Sequence, residues 1–67
     1  MIYLPEVGDL IRDPGDLSRV CLVLETIRDP GTHFYILSIL SMNGEKEWRT
    51  AAIAELSSAH CVQKRST

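Results

Sequence analysis

Three chain reversals constrain this sequence more than anything else in it. The pentapeptide Ile-Arg-Asp-Pro-Gly occurs at residues 11–15 and again at residues 27–31, and Asn43-Gly44 follows. Proline lacks an N–H and fixes φ, an aspartate side chain bonds the backbone ahead, and glycine tolerates the reversed φ. Asp-Pro-Gly is therefore expected to end a strand, with Gly15 and Gly31 supplying the left-handed conformation. Asn-Gly is the strongest short hairpin signal, and a two-residue type I′ turn, with positive φ at both centres, is expected there. Ser41-Met42 would then pair with Glu45-Lys46. The repeat could also be read as a ligand loop used twice, with Arg12 and Arg28 as matching anion grips. In an antiparallel meander, however, successive connections lie at opposite ends of the sheet, which holds the two arginines apart. The repeat is read as punctuation.

Between the corners lie short apolar segments. Residues 7–12, 19–28, 33–41, 46–50 and 60–63 read as strands, and residues 51–56, with three alanines and no Gly or Pro, as a single helical turn. The run Val20 to Ile27 could be a buried helix segment. Its length and its bracketing by Ser18-Arg19 and Arg28-Asp29-Pro30 favour a strand. Five strands and one helical turn predict an all-β domain, a small closed or partly closed barrel. Residues 1–6 form an N-terminal arm, residues 7–63 the barrel and residues 64–67 a C-terminal tail. A chain of 67 residues has little interior, and in domains of this size burial and ordering entropy nearly cancel, so contacts with a partner or a second copy are expected to add stability.

Charge narrows the partners. Nine acidic residues outnumber seven basic ones, for a net charge of −2, whereas nucleic-acid binders carry an excess of Lys and Arg. Lys64-Arg65, the one basic cluster, reads as a solvated tail. No run approaches the roughly 20 apolar residues that cross a bilayer, and the first residues lack the pattern of a signal peptide. No membrane partner and a cytoplasm-like compartment, with Cys21 and Cys61 reduced, are expected.

No residue pattern calls for catalysis or a cofactor. His60 and Cys61 are adjacent, so on a strand they point to opposite faces and cannot act as base and nucleophile. Cys21 with His33 or His60 is geometrically open, but no motif supports the pair. Two Cys and two His match a zinc site in number and lack its paired-ligand spacing. A Cys21–Cys61 disulfide would stabilise by about 3–4 kcal/mol and would need an oxidising setting. The informative residues are apolar. Trp48 either packs on the barrel beside the hairpin or anchors a partner, and Glu45-Lys46-Glu47 beside it reads as a solvated, charged hairpin. In the arm, which Pro5 keeps extended, Ile2, Tyr3 and Leu4 either fold across the barrel or dock on a neighbour. Ile2, Tyr3, Leu4, Trp48 and Arg49 are the candidate partner contacts.

The order Gly8-Asp9-Leu10-Ile11, Leu22-Val23-Leu24-Glu25, Tyr35-Ile36-Leu37-Ser38-Ile39-Leu40 and Asn43-Gly44-Glu45-Lys46-Glu47-Trp48 resembles a group of very small SH3-like barrel proteins of tailed, especially marine, bacteriophages. The resemblance covers roughly positions 7 to 56. It implies a five-stranded SH3-like barrel with a short helical turn before the last strand, and a viral origin. The chain departs from the group in having Ser41-Met42 where an aromatic often precedes the turn, and Arg19-Val20-Cys21 where a Gly often opens the second strand. Trp48 is thus left without an aromatic companion at the hairpin. The resemblance implies no specific activity. The expected function is a non-enzymatic protein–protein interaction module, accessory to a host or phage complex or a minor virion component. It would work in the host cytoplasm during infection, or in the virion. The alternatives are a nucleic-acid-binding small barrel and a capsid or tail decoration protein.

Overall fold

A computed structural model describes residues 2–65. The strands are β1 (Leu10–Asp13), β2 (Asp16–Asp29), β3 (Phe34–Ser41), β4 (Lys46–Ala52) and β5 (Cys61–Gln63), with 3₁₀ turns at Ile53–Glu55 and Ser58–His60. All pairings are antiparallel, in one sheet ordered β4-β3-β2-β1-β5. The all-β expectation and the helical turn before the last strand are both met. Closure is not: the sheet is open, and among the described residues no ladder joins β4 to β5. Chain length explains this. β4 runs directly into a 3₁₀ turn, and β5 has three residues, too few to bridge the gap.

Each corner holds, and in both Asp-Pro-Gly corners the aspartate bonds the backbone ahead as expected, but the reversed φ falls elsewhere. Pro14-Gly15 is a two-residue reversal with Asp13 paired to Asp16, so β2 begins at once and runs for 14 residues. Among the described residues only Gly8, Gly44 and His33 have positive φ. Gly15 and Gly31 therefore do not supply the reversed φ, and in the second corner His33 adopts it instead. The Asn43-Gly44 turn is also not type I′. Ser41 N–H donates to Glu45 O at 2.8 Å and Gly44 N–H to Ser41 O at 3.0 Å, leaving a three-residue loop with Gly44 alone left-handed. β1 begins at Leu10 rather than residue 7 because Gly8 (φ 96°) turns the chain just before it.

Cross-strand register sorts the side chains of β2, β3 and β4 into rows. Val23, Ile39 and Glu47 share one row, Thr26, Leu37 and Arg49 the next, and Arg28, Tyr35 and Ala51 a third. These point inward, where Val23, Leu37 and Ile39 are buried with Ile11, Cys21 and Leu56. A bulge at Leu24, between Val23 and Glu25, keeps the alternation in step as β2 bends.

The N-terminal residues finish the cover of this inner face. Tyr3 N–H donates to Leu56 O at 3.1 Å, Ile2 bridges Ser57, and Tyr35 Oη donates to Pro5 O at 2.7 Å. Pro5 is buried, and Tyr3, Leu4 and Ile53 pack against the core. Residues 2–6 are a lid on the sheet. Met1 of the expected arm, and Ser66 and Thr67 of the expected tail, lie outside the described residues.

The two Asp-Pro-Gly corners share one bond and diverge in everything else. Asp13 and Asp29 each accept from the glycine N–H two residues on, at 2.8 and 2.9 Å. Asp29 is half-buried, whereas Asp13 is only 1% exposed. Arg49 reaches Asp13 with Nε at 2.9 Å and Nη2 at 3.2 Å, and Arg19 approaches at 3.8 Å. Glu47 accepts from both arginines at 3.2 Å. The hydrogen bonds to Asp13 raise the Arg49 pKa, holding the guanidinium charged. The first corner is tight at Gly15, where a Cβ would lie 3.1 Å from Arg49 Nε and press on the guanidinium that holds Asp13, whereas at Gly31 the nearest atom is 3.5 Å away. Arg49→Met should therefore cost about 2–3 kcal/mol, below the usual cost of breaking a buried pair because Arg19 remains. Arg28→Met, in the matching copy of the repeat, should fall within about 0.5 kcal/mol of the parent. Urea denaturation of the two variants measures the difference.

Candidate functional site: an apolar outer face

The same registers that bury one face of β2, β3 and β4 turn the intervening residues outward. The outer rows are Leu22, Leu40 and Lys46; Glu25, Ser38 and Trp48; Ile27, Ile36 and Thr50; and Asp29, Phe34 and Ala52. Trp48, Ile27 and Phe34 are 56%, 47% and 44% exposed, and Ile36 and Leu40 are partly so. Isolated exposed apolar side chains are ordinary, but a contiguous set of large ones over three strands is not. Ser38, at the centre of the patch, is buried beneath its neighbours. Beside it Leu24, Glu25, Ser38, Leu40, Lys46 and Trp48 line a hollow of 430 Å³.

The expected contacts separate onto different parts of the molecule. Trp48 lies on the outer face and is not packed over the core. Arg49, next to it on the strand, points inward to Asp13. Tyr3 and Leu4 pack on the core, while Ile2 is 58% exposed at the end of the lid. The outer-face residues Leu24, Ile27, Phe34, Ile36 and Leu40 were not singled out from the sequence. Their signal was the weak alternation in β2 and β3: apolar residues at successive positions, as in Leu22-Val23-Leu24 and Ile39-Leu40, fall on both faces.

The lid is held by polar contacts to one carboxylate. Asp9, 3% exposed, accepts from the Tyr3 hydroxyl at 2.5 Å, from Glu6 N–H at 3.1 Å and from Arg65 N–H at 2.8 Å. Arg65 also pairs with Glu6 at 3.0 Å, and Lys64 Nζ stands 5.8 Å from the centre of the Tyr3 ring. The tail residues Lys64 and Arg65 are thus fastened to the lid. Burial pushes the Asp9 pKa up, but the Tyr3 hydroxyl, the two backbone donors and the Arg65 charge outweigh it and hold the carboxyl below its ordinary value. Burial, then the bond to Asp9, raises the Tyr3 phenol well above its ordinary value. Each donor and acceptor here is spent on the fold.

The groups weighed for chemistry are likewise engaged. His60 Nδ1 accepts from Ser57 N–H at 3.2 Å as part of a capping box, and His33 is exposed at a corner. Cys21 and Cys61 are both free and both lie opposite Ile11, on either side of β1. Two strand spacings, about 10 Å, separate them, beyond the Cα reach of a disulfide. Burial, then the Asp13 charge, pushes the Cys21 thiol up to about 11. Among the described residues no group of three or more His, Cys, Asp or Glu is placed to hold a metal ion, and no helix is long and apolar enough to cross a membrane.

Comparison with protein-family models, with curated proteins and with solved structures finds no match to the chain.

The lid predicts a specific pH dependence. A lowered Asp9 pKa contributes stability that is complete above the ordinary carboxyl value of 3.8 and lost as pH falls through the folded-state value. The raised Tyr3 and Cys21 values contribute stability that is complete below 9.0, the ordinary thiol value, and lost first as Cys21 and then, above 10.0, as Tyr3 ionises in the unfolded chain. Tyr3→Phe should leave the decline that begins near 9.0 in place, remove the further decline above 10.0 and shift the acid transition to higher pH. Thermal melts from pH 2 to 11 check it.

Proposed function

We propose that the chain is a non-enzymatic protein–protein interaction module of the small SH3-like type, whose contact surface is the outer face of β2, β3 and β4 centred on Trp48. The carrying observation is that Trp48, Ile27 and Phe34, all large and apolar, stand exposed on that one face. Trp is the side chain most enriched among residues that dominate binding energy, and burying an apolar patch is the main gain in association. The SH3-like assignment is supported by five antiparallel strands, by β5 lying beside β1 and by the 3₁₀ turns before β5. The phage setting rests on the sequence resemblance: an accessory protein of a host or phage complex, or a minor virion component such as a decoration protein.

The lid residues Tyr3 and Leu4 give their apolar surface to the core, so the partner contact moves from the arm to the outer face, with Ile2 at the margin. Nucleic-acid binding is the weaker reading. Lys46 is the sole basic residue in the four outer rows and Glu25 stands near it, whereas phosphate contacts need clustered cations.

Site-specific photo-crosslinking tests the assignment. A crosslinking amino acid at Thr50, exposed within the outer rows, should capture protein, and one at Glu55, on the first 3₁₀ turn, should not. Capture of nucleic acid at Thr50 with steep salt dependence would replace this reading with nucleic-acid binding. Equal capture at both positions would remove the face from consideration.

A further inference from the structure

Two charged side chains interrupt the apolar rows, and their placement selects an occupant. Glu25 lies on β2 in the row of Ser38 and Trp48, and Lys46 lies on β4 one row away. Both are exposed, and neither has an ion-pair partner among the described residues. They stand on opposite sides of β3, the middle strand of the patch. Asp29, at the end of the patch, is already turned to Gly31 N–H in its own corner.

We propose that the outer face is occupied by a second copy of this chain, in a two-fold dimer whose axis runs along β3; this rests on the face being an interaction surface. Rotation about that axis lays β2 of each copy over β4 of the other. Glu25 of one copy then comes over the Trp48 row of the second, within side-chain reach of Lys46 one row away, and symmetry makes the contact twice. Trp48 of each copy lies over the 430 Å³ hollow beside Leu24 and Ser38 of the other. A two-fold axis across the strands does worse, because it lays β2 on β2 and sets Glu25 against Glu25 or against an apolar row. Like charges opposed in an interface are costly, so charge pattern distinguishes the two arrangements.

The size of the face suits a small dimer. Three strands about 4.8 Å apart and eight residues at about 3.3 Å give a patch of about 380 Å² per copy, or about 760 Å² over two copies. That is the size of a transient contact, so weak self-association, on the order of 100 µM, is expected. An isologous contact also meets the need of so short a chain for apolar burial beyond its own core.

Sedimentation velocity on the purified chain tests the proposal, with Glu25→Lys and Lys46→Glu as variants. The parent should pass from monomer to dimer with rising concentration, and its Trp48 emission should shift to the blue. Each variant alone opposes like charges twice and should weaken self-association by about tenfold. An equimolar mixture of the two should restore it, since in the mixed dimer both contacts become opposite-charge pairs. Intramolecular effects of the substitutions would not be repaired by mixing. A parent that stays monomeric to about 1 mM, or a dimer indifferent to both variants, overturns the proposal. The reading of a separate protein partner is decided independently: protein captured at Thr50 under conditions where the parent is monomeric supports it, and silence there removes it while the dimer stands or falls on sedimentation.

Discussion

The sheet has two apolar faces, and the described residues cover one of them. β2 and β3 carry large aliphatic side chains inward and outward alike, a pattern ordinarily found in strands with packed layers on both sides. Among the described residues there is one sheet and no second layer. The N-terminal segment, Leu56 and the 3₁₀ turns close over the inner face, and none of the described residues covers the outer one. Architecture and proposed function both follow from this asymmetry.

Covering the inner face requires that the chain ends be tied down, and two carboxylates do it from opposite positions. Asp9 gathers the Tyr3 hydroxyl and the backbone of Glu6 and Arg65, joining the first and last described segments. Asp13 gathers Arg49 and Arg19, joining the first corner to β4 and β2. A buried carboxylate is costly unless each of its oxygens finds donors. Here both do, so Tyr3, Arg49 and Arg65 serve the fold. Trp48 carries no such obligation, and its indole remains on the open side.

Much of the architecture was legible because turn chemistry is local. Proline and the Asp–Gly bond stop strands wherever they occur, so the number and order of strands could be read directly. What depends on three dimensions could not. That Arg49 crowds Gly15 is invisible in letters identical to those around Gly31. The Asn43-Gly44 loop gains a residue because Ser41 pairs with Glu45, a register set by the whole of β3 and β4. Arg49 and Trp48 are neighbours on β4, and strand alternation sends them to opposite faces, so only Trp48 of the pair stays outside. The outer patch is hidden in the sequence because a mostly apolar strand reads the same whether both its faces are covered or one is left bare.

The account turns on one contrast: inner apolar side chains are covered by the chain itself and outer ones are not. Methyl-resolved NMR with a soluble paramagnetic probe measures it directly across a dilution series. Ile11, Leu37, Ile39 and Leu56 should stay protected at every concentration. Ile27, Ile36 and Leu40 should be strongly relaxed by the probe at high dilution. Equal protection of both sets at the lowest concentration, or relaxation of Leu4 and Leu56 as strong as that of Ile27, would contradict the account.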